Sequence, residues 1–144
     1  MLEEGVYHIT NYAGGSVFVL DGSPPGMPVE CMKGPPPSAI HVRCLEGNMY
    51  SLTPGNFAGP GRLAIGFPME GSPVVPVLLF EAGTEHECTE WYIDHNGENK
   101  YEIRAAKGPG NQYWTLTGDE QGPIVLVGSQ GSEKQQWRLD RIFT

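Results

Sequence analysis

Positive charge is scarce in this chain, and charge of either sign is modest. Of 144 residues, 18% are charged; nine are Lys or Arg against seventeen Asp or Glu, for a formal net charge of −8. Surfaces that hold nucleic acid or anionic membrane need clustered cations to displace counterions. The nine here are scattered, so neither partner is expected. No run of about 18 apolar residues is present to span a bilayer, so no membrane insertion is expected. The N-terminal "MLEEGVYHI" lacks the basic and apolar regions of a secretory signal, and no Asn-x-Ser/Thr sequon occurs. The expectation is a cytoplasmic protein, with unconventional secretion left open. Cysteine is sparse as well: Cys31, Cys44 and Cys88 make an odd count without metal-like spacing. They read as reduced, mostly buried thiols, and no metal or other cofactor is expected.

Helix signals are also missing. No window of about eleven residues combines a helical apolar period with strong helix formers. What the chain does have is turn chemistry, with 20 Gly and 13 Pro. That composition suits many short strands joined by tight turns, and so an all-β protein. The length is enough for one domain with one core.

The strands recur. One set of aromatic-x-aliphatic triplets is Tyr7-His8-Ile9, Tyr50-Ser51-Leu52 and Tyr101-Glu102-Ile103. A second set is Ile40-His41-Val42, Trp91-Tyr92-Ile93 and Trp137-Arg138-Leu139. Between them lie Val17–Leu20, Leu63–Ile65 and Tyr113–Leu116, and then Val29–Met32, Val77–Phe80 and Ile124–Val127. The spacing predicts three units of four strands, at about residues 1–47, 48–98 and 99–144, within one domain over 1–144. Alternation puts both outer residues of each triplet on a buried face. Ile40 stands ten positions before Tyr50 and Trp91 ten before Tyr101, joined by turns rich in Gly and Asn.

Twelve short strands in three similar units resemble the β-trefoil, a six-stranded barrel capped by three hairpins around a pseudo-threefold axis. A two-sheet sandwich would also show short alternating strands. The stretch "GPIVLVGSQGSEKQQWRL", residues 122–139, resembles the ricin-B-type repeat through Gly122, Pro123, Ile124, Leu126, Gly131, Gln135 and Trp137. Its physical reading is structural: Trp137 fills the barrel and Gln135 satisfies backbone groups at a turn. Unit two has Thr89-Glu90-Trp91 and unit one Ser38-Ala39-Ile40, so the Gln-x-Trp pattern is intact once.

No enzyme signature stands out, and no catalytic residue is assigned. Glu85-His86-Glu87-Cys88 alternates direction along an extended loop and reads as a solvated acidic loop rather than a metal cluster. Asp94-His95 lies in a hairpin turn with no nucleophile in view. "GPGNQ" at 108–112 lacks the Lys and the helix of a phosphate loop.

Binding is the remaining class. The chain resembles mushroom ricin-B-like lectins, which makes a non-enzymatic carbohydrate-binding protein with its site on loops of units two or three the first expectation. It also resembles the cospin- and mycocypin-like protease inhibitors, the alternative. The stretches "EEGVYHIT", "NMYSLTPGN" and "LLFEAGTEHECTEWYI" resemble the inhibitors. The resemblance implies a fungal defence protein that binds glycans or glycoproteins, or alternatively a protease, with a homodimer among the expected assemblies. For the inhibitor reading the loop "DGSPPGMP", with Pro25, Gly26, Met27 and Pro28, takes the place of the reactive loop. It has no Lys or Arg for a trypsin-type pocket, so Met27 would serve a chymotrypsin- or subtilisin-like one. For the lectin reading, sugar C–H faces need an aromatic platform and hydroxyls need fixed polar groups. Unit three offers Gln112, Tyr113, Trp114, Asp119 and Gln121. Unit two offers Phe67, Glu90, Tyr92, His95 and Asn96. In a strand, Tyr113 and Trp114 point to opposite faces, so one is core and the other free. Ile65-Gly66-Phe67 resembles the Ile-Gly-Trp segment of some mushroom trefoil lectins. The aspartate that anchors galactose in ricin-type sites is absent from all three units, and Asp21 is an imperfect substitute.

Overall fold

Five of the six triplets bury both outer residues as alternation requires: Tyr7 with Ile9, Ile40 with Val42, Tyr50 with Leu52, Trp91 with Ile93, and Trp137 with Leu139. In the sixth, Ile103 is buried but Tyr101 is only half-buried. A computed structural model describes residues 2–20, 22–56, 59–61, 63–68, 75–81, 87–107 and 112–143. In it the first strand set is β1 (Gly5–Asn11), β2 (Ser16–Phe18), β3 (Glu30–Met32) and β4 (Ala39–Cys44). The second runs through β5 (Met49–Asn56), β6 (Gly59–Pro60), β7 (Leu63–Pro68), β8 (Val75–Pro76), β9 (Leu78–Glu81), β10 (Glu87–Cys88) and β11 (Trp91–His95). The third is β12 (Tyr101–Ala105), β13 (Gln112–Leu116), β14 (Gly122–Gly128) and β15 (Trp137–Phe143). Helix is confined, among the described residues, to two single 3-10 turns, Glu46–Asn48 and Glu133–Gln135.

Six strands close on themselves. β1 pairs β4, β4 pairs β5, β5 pairs β11, β11 pairs β12, β12 pairs β15, and β15 returns to β1, all antiparallel. At three of these seams the triplets face one another: Tyr7 opposite Ile40, Tyr50 opposite Trp91, and Tyr101 opposite Trp137. The tyrosines are therefore equivalent, as are Ile40, Trp91 and Trp137.

Three hairpins, β2–β3, β7–β9 and β13–β14, cap the ring. Their meeting point shows the symmetry most directly. Val29 N–H donates to Val77 O at 2.9 Å, Val77 N–H to Ile124 O at 3.1 Å, and Ile124 N–H to Val29 O at 3.0 Å. One closed triangle of backbone hydrogen bonds thus joins the three hairpins, and all three residues are fully buried. The fold is the β-trefoil that the repeats predict.

A line of rings fills the interior. Phe67 to Trp91, Trp91 to Trp114, and Trp114 to Trp137 have centroid separations of 5.3, 5.4 and 5.6 Å, the last two edge to face. Such tilted contacts suit the aromatic quadrupole. Trp91 Nε1 donates to Ile65 O at 2.9 Å and Trp137 Nε1 to Trp114 O at 3.2 Å. Gln135, fully buried, donates to Gly128 O (2.8 Å) and Thr115 Oγ1 (3.1 Å) and accepts from Gln130 N (2.7 Å). Ser38 does the same work in the first set, accepting from Val19 N at 2.7 Å and donating to Val19 O at 3.2 Å.

All three cysteines are free. Cys31 and Cys88 are buried, while Cys44 is only half-buried. It ends β4, where the barrel opens, and its thiol faces Leu2 O at 3.8 Å.

Candidate functional site

The β11–β12 hairpin turns through Gly97 (φ 128°) and Asn99 (φ 46°), left-handed positions that Gly and Asn tolerate. Its register sets Tyr92 opposite Arg104 and Asp94 opposite Glu102. Pleating puts these four side chains on one face, with Arg104 diagonal to Asp94. Arg104 Nε donates to Asp94 Oδ2 at 2.6 Å. The guanidinium also lies over the Tyr92 ring, 4.2 Å from its centroid. That carboxylate bond raises the Arg104 pKa above its usual value, against a smaller opposing effect of burial. At the end of the hairpin His95 meets Tyr101 edge to face at 5.2 Å.

These side chains line an open groove with a cavity volume of about 360 Å³. Tyr92, Asp94, His95, Tyr101 and Arg104 form one side; Leu2, Asn48 and Tyr50 close the other. Tyr50 Oη is bonded to the backbone of Leu2, accepting from its N–H at 3.1 Å, and burial raises its pKa. Asn48 holds a left-handed turn (φ 64°) at the end of the Glu46–Asn48 helical turn. The groove thus joins the hairpin before the second set with the hairpin before the third.

Of the residues expected from sequence, Tyr92 and His95 line this groove, and Asn96 follows on the exposed turn. Two of the proposed aromatic platforms are corrected by the structure. Trp114 is 0% exposed and Phe67 is 2% exposed. Both belong to the interior line of rings, because β13 and β7 turn these faces into the cap, and neither ring can meet a sugar. Tyr113, opposite in direction to Trp114, is the half-exposed partner that alternation allowed, and Gln112 beside it is also half-buried. The unit-three cluster does not converge. Asp119 and Gln121 lie past the far end of β13, in an exposed loop where Gln121 Oε1 accepts from Lys33 N at 3.4 Å. Glu90 is engaged with Lys107 at 3.2 Å.

Asp94 and Arg104 also line the groove, a placement that sequence reading missed. The signal was present: counting back from the "NGENK" turn pairs Tyr92 with Arg104 and brings Asp94 within diagonal reach. Glu85 and His86 of the acidic loop, Asp21, and residues 108–111 of "GPGNQ" lie outside the described residues. Among the described residues no group of three or more His, Cys, Asp or Glu is placed to hold a metal.

The other candidate surface is the loop before β3. Pro24, Pro25, Gly26, Met27 and Pro28 are exposed, and Leu20 and Met27 have 67% and 43% of their surface free. Its backbone is fixed: Gly26 N–H donates to Leu79 O at 2.7 Å and Leu79 N–H to Met27 O at 3.0 Å.

No protein-family model matches this chain, and no curated protein matches it by sequence. Solved structures do. The chain is similar to a mosquitocidal holotoxin (22% identity, TM-score 0.78), covering 99% of this chain and 18% of the toxin, so it spans only a small part of that protein. It is similar to the Macrolepiota procera ricin B-like lectin, solved in complex with lactose (17% identity, TM-score 0.70), over 98% of this chain and 99% of the lectin. It is similar, too, to a proteinase inhibitor from Coprinopsis cinerea (15% identity, TM-score 0.67), over 99% of this chain and 100% of the inhibitor. At these identities the likeness shows the β-trefoil fold alone.

Proposed function

We propose that this chain is a non-enzymatic carbohydrate-binding protein and that its glycan site is the groove of the β11–β12 hairpin. The observation that carries this reading is the groove itself: an open cavity of about 360 Å³ in which aromatic edges and fixed polar groups alternate. Small-ligand sites combine apolar walls with a few convergent polar groups in this way. His95 and Tyr101 offer C–H and ring surface, and Asn48, Asp94 and Arg104 offer directional hydrogen bonds. Among the described residues the groove lining includes no Ser, Thr or Cys to act as a nucleophile, and Asp94 is engaged with Arg104 rather than with His95. Such an arrangement favours binding over chemistry. Gln112 and Tyr113, on the neighbouring β13, extend the surface toward Arg104, which faces Tyr113 across the β12–β13 pair. Affinity for a single sugar should be weak, since an open wet site must offset the entropy of ordering the ligand.

One observation favours a second reading. The loop of Pro25 to Pro28 combines a fixed backbone with exposed Leu20 and Met27, two of the three large hydrophobic residues found exposed among those described. A rigid apolar loop of this kind suits a protease with an apolar specificity pocket.

A glycan array run beside a panel of serine and cysteine proteases separates the two. The lectin reading expects array binding that His95→Ala or Asn48→Ala weakens, and no inhibition. A blank array together with inhibition that Met27→Asp removes would overturn it in favour of the loop.

A further inference from the structure

The hydrogen bonds left unspent in the groove say more about the ligand. Arg104 carries five N–H donors in a rigid fork. Only Nε is used, on Asp94 Oδ2, and among the described residues the terminal Nη groups make no hydrogen bond. The Oδ1 oxygen of Asp94 likewise accepts none among the described residues. Both side chains are partly open to solvent, at 33% and 45% of their surface. Three contacts hold the fork: the Asp94 carboxylate, the Tyr92 face at 4.2 Å, and the strand pairing beneath. A donor and an acceptor therefore stand side by side at the wall of a cavity, held in place, open to solvent and without a protein partner among the described residues.

Charge narrows the choice. Arg104 and Asp94 cancel, Glu102 stands directly opposite Asp94, and the whole chain carries −8. A carboxylated or sulfated sugar would meet a repulsive field. A neutral ligand with a donor and an acceptor on adjacent carbons would not. Two neighbouring hydroxyls of a pyranose provide that pair: one O–H donates to Asp94, and the next oxygen accepts from Arg104.

We propose, resting on the glycan reading above, that the groove recognises a vicinal diol of a neutral glycan, with Asp94 accepting from one hydroxyl and Arg104 donating to its neighbour. Tyr92 is then a positioning residue. Arg104 covers one face of its ring, so the ring backs the guanidinium and the sugar's apolar face falls to His95 and Tyr101. This changes the part that sequence reasoning gave Tyr92, from stacking platform to support.

The test uses the intact protein and the methyl glycosides of galactose, mannose, fucose, glucose and N-acetylglucosamine, with binding read by calorimetry and by the Arg104 Nε–H resonance. Monodeoxy forms of whichever glycoside binds are then compared. Removing either hydroxyl of one adjacent pair should weaken binding about ten- to a hundredfold, since a hydrogen bond to a charged group is lost. Asp94→Ala and Arg104→Lys should lose as much, the lysine because a point charge does not reproduce the fork. Tyr92→Leu should weaken binding and broaden the Arg104 resonance, and Tyr92→Phe should restore both. Melting curves will show that each variant is folded. If a glycoside binds but tolerates every single deoxygenation, or if Asp94→Ala and Arg104→Lys bind as wild type, the diol proposal is wrong while the glycan reading stands. If neither the glycosides nor any array glycan binds the wild-type protein, both fall.

Discussion

Trp137 and Gln135 stand two positions apart and close the third strand set together. The indole fills the barrel and donates to Trp114 O, and the buried amide ties the preceding loop to Thr115 and Gly128. Both roles were legible in sequence, because a lone Trp after a Gly-rich turn has little else to bury against. Trp137→Ala should cost about 3–5 kcal/mol in chemical denaturation; a loss under about 1 kcal/mol would mean the ring is not core. Less legible was which of two adjacent aromatics faces inward. Tyr113 and Trp114 differ only in parity, and parity is fixed by the partner strand, where Trp114 meets Leu126. Cys31 gives a prediction in pH. Burial pushes its thiol from the ordinary 9.0 up to about 12. The unfolded chain therefore releases this proton at lower pH than the folded protein does. Stability is intact below about pH 9 and falls as pH rises toward 12, by about 1.4 kcal/mol per pH unit at most from this one group. Cys88, Tyr7 and Tyr50 are shifted in the same direction, each chiefly by burial. Urea melts across the alkaline range should show the decline, and Cys31→Ala should make it shallower; an unchanged slope would remove Cys31 from the account.

At the scale of elements, the hairpins are pinned by close backbone approaches that admit no side chain. Gly15 has φ +78°, and a Cβ there would fall 2.2 Å from Glu120 O. Gly34 has φ +113° with nothing within 4 Å of such a Cβ. Gly15→Ala should therefore lower stability by clearly more than Gly34→Ala, which bears backbone strain alone, on the order of 1–2 kcal/mol. Equal melting temperatures for the two variants would contradict the close approach of β2's turn to the loop at Glu120. The strands themselves could be read from sequence because the aromatic-x-aliphatic triplets repeat at matching intervals. The groove could not, because it depends on two hairpins coming together at one end of the barrel. Asn48 and Arg104 are far apart in sequence and meet only once β5 pairs with β11. A residue such as Arg104, polar and in mid-strand, gives no local sign of its role until the hairpin register is counted.

At the scale of the whole molecule, the pseudo-threefold frame is nearly regular, but the groove is not repeated with it among the described residues. The Val29–Val77–Ile124 triangle treats the three sets alike. The stacked Arg–Tyr pair with its carboxylate occurs at one hairpin only among the described residues. The described residues offer one such groove per chain, and on this reading strong attachment to a glycan surface would need several chains acting together, by effective concentration rather than new contacts. The same geometry predicts where a ligand is felt. The most direct measurement is an NMR titration of the labelled protein with the best glycan from the array, following backbone amides and the Arg104 and His95 side chains. The account predicts saturable shifts centred on Asn48, Asp94, His95, Tyr101 and Arg104, with Met27 and the Asp119–Gln121 loop unmoved. Shifts centred on the Asp119–Gln121 loop or on Met27, with the β11–β12 hairpin silent, would contradict it.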